Sequence, residues 1–128
     1  MNADLLNISK IETFFDKLLK NNLSKNMFYT NLPSVMQKTW KDMVLVDVAN
    51  IEDNGVGQGS VNVFIYVKPI GTGRKNVAEF SRLSAKLNEL LESNNDEHYF
   101  VSRQQSYSDY DIPRNLHCEI IRLKITIV

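Results

Sequence analysis

The stretch that decides the fold is the run IIRLKITIV at residues 120–128. Large aliphatic residues at positions 121, 123, 125 and 127 alternate with polar ones, which is typical of a β-strand that buries one face. We expect this strand to span about residues 116–128. Because Ile120 and Ile121 are adjacent, a β-bulge is expected near them. Burial of both strand faces would explain the same pair.

Upstream of this run, the sequence predicts three more strands. The β-branched run Met43–Val48 pairs with the alternating run Ser60–Lys68, and a further strand is expected at about 99–107. Residues 50–59 contain three glycines and are too long for a tight turn, so we expect a loop that projects from the body. Residues 108–115 are expected to form a long polar loop before the last strand.

Two amphipathic helices are predicted. Ser9 and Glu12 form a capping box that opens an N-terminal helix at about residues 9–21. Asn76 precedes a continuous apolar stripe and caps a longer helix at about residues 76–93. Each helix therefore has one face suited to packing against a sheet.

The expected fold class is α+β. A single domain over residues 1–128 contains one mixed or mostly antiparallel sheet of about four strands, with the long helix on one face and the N-terminal helix nearby. Phe64 and Tyr66 lie on the second face of the central strand and need a cover of their own. We favour the N-terminal helix as this cover, with a neighbouring subunit as the alternative. The structure of residues 23–42 is left open: Met27–Tyr29 fits either an edge strand or a packed loop, and the residues after Pro33 could form a short turn-rich segment.

The amino-acid composition disfavours several classes of function. Fifteen Lys and Arg balance fifteen Asp and Glu, which argues against a protein that binds nucleic acid tightly by neutralising its phosphates. Cys118 is the single cysteine, so no disulfide within the chain is possible. The sequence has neither a secretory signal nor an apolar run of about 20 residues, so we expect a protein without membrane contact that is made in the cytoplasm.

No residue pattern predicts catalysis, a cofactor or a metal. The segment Gly71–Lys75 precedes a helix, but it lacks the spacing of a P-loop and the third glycine of a Rossmann motif, so we interpret it as a flexible turn. His98, His117 and Cys118 match no zinc spacing, and the last two point to opposite faces of a strand. We therefore expect no catalytic, cofactor-binding or metal-binding residues.

Two polar segments are candidate contact surfaces. One is the glycine loop, and the other is rich in tyrosine, which suits protein contacts because it offers large rigid area at low entropic cost. The candidate partner or oligomer contacts are Asp53, Asn54, Gly55, Val56, Gly57, Gln58, Gly59, Tyr107, Asp109, Tyr110 and Asp111. Acid–base or magnesium chemistry by the three aspartates is the weaker alternative, because nothing in the sequence ties them together.

The order of elements, the chain size and the placement of loops resemble the tail terminator (tail completion) proteins of long-tailed bacteriophages. The resemblance covers most of the chain. Three segments are similar in amino-acid sequence to small phage and prophage proteins of Bacteroides-like bacteria. They are WKDMVLVDVAN at 40–50, GSVNVFIYVKP at 59–69 and NLHCEIIRLKITI at 115–127.

The resemblance implies a structural virion protein without enzymatic activity, located in the tail or neck. Terminators of this kind form a hexameric ring on the last ring of tail-tube protein, stop tube growth and join the tube to the head connector. DNA only passes through the channel. A head–tail adaptor or stopper protein of the neck is one alternative. A small ligand- or phosphate-binding domain or enzyme, using Gly71–Lys75 with Asp109 or Asp111, is an alternative of a different class.

Overall fold

The computed structural model describes residues 3–53 and 56–128, which form an α+β fold with one mixed sheet and two α-helices. The elements are a 3-10 turn at Ala3–Leu6, α1 at Ile8–Leu19, β1 at Met27–Tyr29, β2 at Asp42–Asp53, β3 at Gly57–Val67, α2 at Val77–Glu92, β4 at Tyr99–Asp111 and β5 at Leu116–Ile127. The strand order is β1-β2-β3-β5-β4, in which β1 is parallel to β2 and the other neighbours are antiparallel. Neither α-helix in the described ranges has the length and apolar character needed to span a bilayer.

The sheet has five strands where about four were expected. The additional strand, β1, lies in the segment whose structure the sequence left open. Hydrogen bonds hold this segment beside β2; among them, the buried Ser24 hydroxyl donates to Asp42 Oδ1 (2.5 Å), and the Val44 N–H donates to the Asn26 carbonyl (2.9 Å). With only three residues, β1 is too short to show an alternation pattern in the sequence.

The β2–β3 connection is a long hairpin and not the projecting glycine loop that was expected. β2 runs to Asp53 and β3 begins at Gly57, and these two residues pair directly. A bulge between Val48 and Asn50 shifts the register, which hides the continuing strand from a period-two pattern. Gly59 is needed beside this bulge, because a Cβ there would lie 2.7 Å from the Asn50 carbonyl oxygen.

The polar loop expected at 108–115 is also partly strand. β4 continues to Asp111, and the turn before β5 occupies only residues 112–115. Asn115 closes the turn with a positive φ of 53°, and the Arg114 N–H donates to Asp111 Oδ1 (3.0 Å). This part of β4 is exposed on both faces, so no burial imposes an alternation on its sequence.

The bulge expected near Ile120 and Ile121 is not found in the described pairing of β5 with β3, whose register is regular throughout. Ile121 is fully buried on one face and Ile120 is partly buried on the other. Burial on both faces, the alternative explanation, therefore accounts for the pair. The β4–β5 hairpin does contain a bulge, but it lies in β4, between Arg103 and Ser106.

Both helices pack on the same side of the sheet, which we call the helix face. Asn7 caps α1 by accepting a hydrogen bond from the Ser9 N–H (2.8 Å), so the helix begins at Ile8 and the capping box predicted at Ser9 is wrong. Asn76 caps α2 as predicted. The fully buried residues between helices and sheet include Ile11, Phe15, Leu19, Val44, Val46, Val61, Val63, Ile65, Leu83, Leu87, Ile121, Leu123, Ile125 and Ile127.

The opposite side, which we call the strap face, is partly covered by residues 30–41, the strap. Leu32, Met36 and Trp40 pack here against a second apolar cluster that contains Phe64 and Tyr66. The cover is therefore intramolecular, but the expectation that the N-terminal helix provides it is wrong, because α1 lies beside α2 on the helix face. Lys68 Nζ anchors the strap by donating to the carbonyls of residues 37 (3.2 Å) and 38 (2.8 Å).

Candidate assembly surfaces

The two predicted contact segments lie at opposite ends of the sheet. β3 runs from Gly57, beside the β2–β3 turn, to Val67, which pairs with His117 beside the β4–β5 turn. At about 3.3 Å per residue, this distance is roughly 33 Å. The segments therefore form two separate surfaces, which we call the β2–β3 end and the β4–β5 end. Two of the candidate residues, Asn54 and Gly55, lie outside the described part of the chain.

At the β2–β3 end, the predicted contact residues belong to the hairpin itself. Asp53, Val56 and Gln58 are exposed, whereas Gly57 is buried and Gly59 is partly buried between its neighbouring strands. Three of the predicted contact side chains among the described residues are therefore exposed at this end. Gly59 serves the hairpin by allowing the β2 backbone to approach closely at Asn50.

The remaining predicted contact residues lie on β4, the outermost strand of the sheet. In the described part of the chain, no strand pairs with its outer side. β4 is 13 residues long, and its Phe100, Tyr107 and Tyr110 side chains are 52%, 46% and 40% exposed. A long exposed edge presents backbone N–H and C=O groups to any strand that docks beside it, and exposed aromatic rings add contact area. β4 is therefore the strongest candidate for a protein contact.

The three candidate carboxylates do not form one group. Asp53 is at the β2–β3 end, whereas Asp109 and Asp111 are at the other. Asp111 stabilises the β4–β5 turn through an ion pair with Arg114 Nη1 (2.8 Å), and Asp109 Oδ1 accepts a hydrogen bond from the Tyr110 N–H (2.8 Å). No group of three or more His, Cys, Asp or Glu residues within 3–53 and 56–128 is arranged to hold a metal ion. This geometry gives no support to joint acid–base or magnesium chemistry.

His117 and Cys118 lie on opposite faces of β5, as the sequence predicts, and His98 lies at the other end of the sheet. His117 faces the helix side, with Nε2 3.1 Å from the Gly73 carbonyl oxygen, and His98 is at the β2–β3 end, with Nδ1 3.0 Å from the Val128 carbonyl oxygen. Cys118 is buried in the cluster under the strap. Burial raises the pKa of its thiol to about 12, and the nearby negative charge of Asp109 acts in the same direction. Because the thiolate is the reactive form, this cysteine is a poor nucleophile.

Alkaline pH will destabilise the fold through Cys118. The pKa of a cysteine thiol in an unfolded chain is about 8.5, whereas burial raises the pKa of the Cys118 thiol in the folded protein to about 12. The stabilisation is therefore complete below about pH 8.5 and is lost as the pH rises toward the folded pKa, with a slope of at most about 1.4 kcal/mol per pH unit. Denaturant unfolding at about pH 8 and about pH 10 measures the loss. Cys118→Ala should reduce it, and an equal loss in this variant would contradict the explanation.

The turn at Gly71–Lys75 lies beside the β4–β5 end, as the ligand-binding alternative requires. Lys75 Nζ donates to Ser108 Oγ (3.0 Å) and lies 4.9 Å from the centre of the Phe80 ring, so this cation is engaged at the sheet. Asp109, however, pairs with Cys118 on the strap face, away from this contact. Lys75 and Asp109 therefore do not converge on one ligand position, whereas Gly71 and Gly73 line one groove with Arg114, the ion-pair partner of Asp111.

A groove of about 400 Å³ does open at the β4–β5 end. Three segments that are distant in sequence line it: the strap, the β3–α2 connection and the β4–β5 turn. Sequence analysis missed this groove, because none of the segments has an informative pattern and only the fold brings them together. The lining includes Val35, Met36, Lys68, Pro69, Pro113 and Arg114.

No protein-family model matches the chain, and no match is found among curated proteins.

Proposed function

We propose that this protein is a tail terminator of a long-tailed phage. It is a structural subunit that forms a hexameric ring on the end of the tail tube, stops tube growth and joins the tube to the head connector. The observation that carries the proposal is the exposed 13-residue edge strand β4 with its half-exposed aromatic side chains. Such an edge suits subunits that pack side by side. The resemblance in element order gives the proposal its phage context.

The two edges of the sheet differ, which fits a ring. A closed ring uses a head-to-tail contact, in which one surface of a subunit meets a different surface of the next. β4 is a long, exposed edge, whereas the opposite edge is the three-residue β1. In the proposed ring, the two sheet ends face the tube and the connector. Balanced charge lets DNA pass through the channel without tight binding.

A head–tail adaptor or stopper protein of the neck remains the nearest alternative. It would use the same kind of subunit contact but would bind on the portal side. Mixing the protein with purified tail-tube protein in one experiment, and with a portal complex in another, distinguishes the two. We expect co-sedimentation with the tube protein. Binding to the portal complex alone would favour the adaptor.

Assembly itself is directly measurable. We expect sedimentation velocity to detect an oligomer whose mass, divided by the 14.7 kDa of one chain, gives six subunits. Tube protein supplied in the same sample should promote the ring, because a ring that caps a tube gains contacts there. A strict monomer at high concentration, with or without tube protein, would count against the proposal.

A further inference from the structure

The sheet has a second open edge, which belongs to β2. β1 pairs only with residues 44–46 of β2. Thr30 then takes a positive φ of 70°, which a β-branched residue rarely adopts, and the chain leaves the edge to become the strap. Among the described residues, no strand pairs with the outer side of residues 47–52. This part of β2 therefore presents unpaired backbone N–H and C=O groups, as β4 does on the other side of the sheet.

The two open edges lie at the same level in the sheet and run in opposite directions. Following the register from strand to strand, Asn50 of β2 is level with Ser60 of β3 and with Ser102 of β4. Residues 48–52 are in this way level with residues 100–103. Each of the pairs β2–β3, β3–β5 and β5–β4 is antiparallel, so β4 is antiparallel to β2. Two copies placed side by side in the same orientation therefore bring β4 of one against β2 of the next as an antiparallel pair.

The bulge in β4 lies at the level where β1 ends. It falls between Arg103 and Ser106, and Ser106 is level with Val46 of β2. Val46 is the partner of Tyr29, the last residue of β1. Because a bulge bends its strand, the first part of β4 can pair with β2 of a neighbour while the second part passes beside β1 of that neighbour.

The side chains of the two edges also match in this register. Ile51 of β2 and Val101 of β4 are level on the helix face, and both are partly buried at the margin of the core. In the pair they become direct neighbours, so the apolar layer continues from one copy to the next. Residues 99–103 contain no acidic side chain and residues 47–52 contain no basic one, so like charges of either sign do not oppose each other across this pair.

We propose that residues 47–52 of β2 receive residues 99–103 of β4 from a second copy of this chain, so that the sheet continues from subunit to subunit. The inference rests on the proposed ring and names the surface that the β4 edge meets there. The contact is head-to-tail, because two different edges of the sheet take part, and such a contact can close a ring.

Disulfide cross-linking of the full chain tests this register. The variant Asn50→Cys, Ser102→Cys, made in a Cys118→Ala background, has both new thiols at exposed positions. Within one chain the two positions are separated by three strand spacings, or about 14 Å, whereas a disulfide joins Cα atoms no more than about 7 Å apart. A disulfide must therefore join two copies. We expect mild oxidation to give a ladder of covalent multimers that ends at six chains and disappears on reduction.

The matched control is Asn50→Cys, Asp109→Cys in the same background. Asp109 is also exposed on β4 but lies beyond the bulge, so this variant should give no ladder. Hydrogen exchange of the unmodified protein is the second measurement. Amides of residues 47–52 and 99–103 should both become protected when the protein assembles.

The outcomes separate this inference from the ring itself. If the protein assembles but the Asn50–Ser102 pair cross-links no faster than the control pair, or if residues 99–103 gain protection without residues 47–52, the β2 contact is wrong and the ring stands. Covalent dimers from Ser102→Cys alone would mean that β4 pairs with β4, which overturns the inference. A protein that stays monomeric overturns both the inference and the ring.

Discussion

If β4 forms the proposed ring contact, substituting lysine for Phe100 and Tyr107 together will convert the ring into monomers with an unchanged fold. Both aromatic side chains are about half exposed on β4, so their loss removes little from the core. An aromatic residue at the centre of an interface contributes about 2 kcal/mol or more, or about 30-fold in Kd for each residue. Lysine on an edge strand also opposes the docking of another strand. Sedimentation velocity over a range of concentrations measures the change.

The matched control for this experiment is Val77→Lys. Val77 is an exposed aliphatic residue at the start of α2 and does not belong to β4. This variant adds a charge but should leave assembly intact. Thermal unfolding of both variants confirms that the fold is retained. If the double variant assembles as strongly as the parent protein, β4 is not the ring contact.

Gly59→Ala will lower the stability of the fold by about 1–3 kcal/mol, which corresponds to a Tm lower by roughly 4–12 °C. The added Cβ would lie 2.7 Å from the Asn50 carbonyl oxygen and 3.0 Å from Ile125 Cγ2. The Asn50 carbonyl belongs to the backbone at the β2 bulge, so relief requires the hairpin to open locally. Differential scanning calorimetry measures the change in Tm.

Gly71→Asn is the control for this prediction. Gly71 has a positive φ of 60°, and a Cβ there would meet no atom within 4 Å. Asparagine tolerates this left-handed conformation better than other non-glycine residues, so its effect should stay within about 0.5 kcal/mol. If the two substitutions cost the same, the loss at Gly59 comes from general glycine replacement and not from the close approach to Asn50.

The parts of the fold that were predictable are those in which burial imposes a pattern. β3, β5 and α2 each bury one face against the core, so their aliphatic residues recur at the period of the element. Residues 108–111 of β4 and the end of β2 lack that constraint, and both were predicted to be loops. The strap covers Phe64 and Tyr66 without forming a helix or strand, so no periodic pattern in the sequence predicts it.

The candidate contacts were predictable to a lesser extent. Tyr107 and Tyr110 stood out because tyrosine among serine and aspartate is typical of contact surfaces, and both are exposed on β4. Phe100 was missed, since an aromatic residue in a predicted strand is normally assigned to the core. The groove at the β4–β5 end depends on three segments meeting in space, which only the sheet order determines.

Electron microscopy of tail-tube protein polymerised with and without this chain tests the central claim most directly. The proposal predicts shorter tubes, each carrying a ring of this protein at one end, and a loss of that effect in the Phe100→Lys, Tyr107→Lys double variant. Tubes of unchanged length with bare ends in the presence of the parent protein would contradict it.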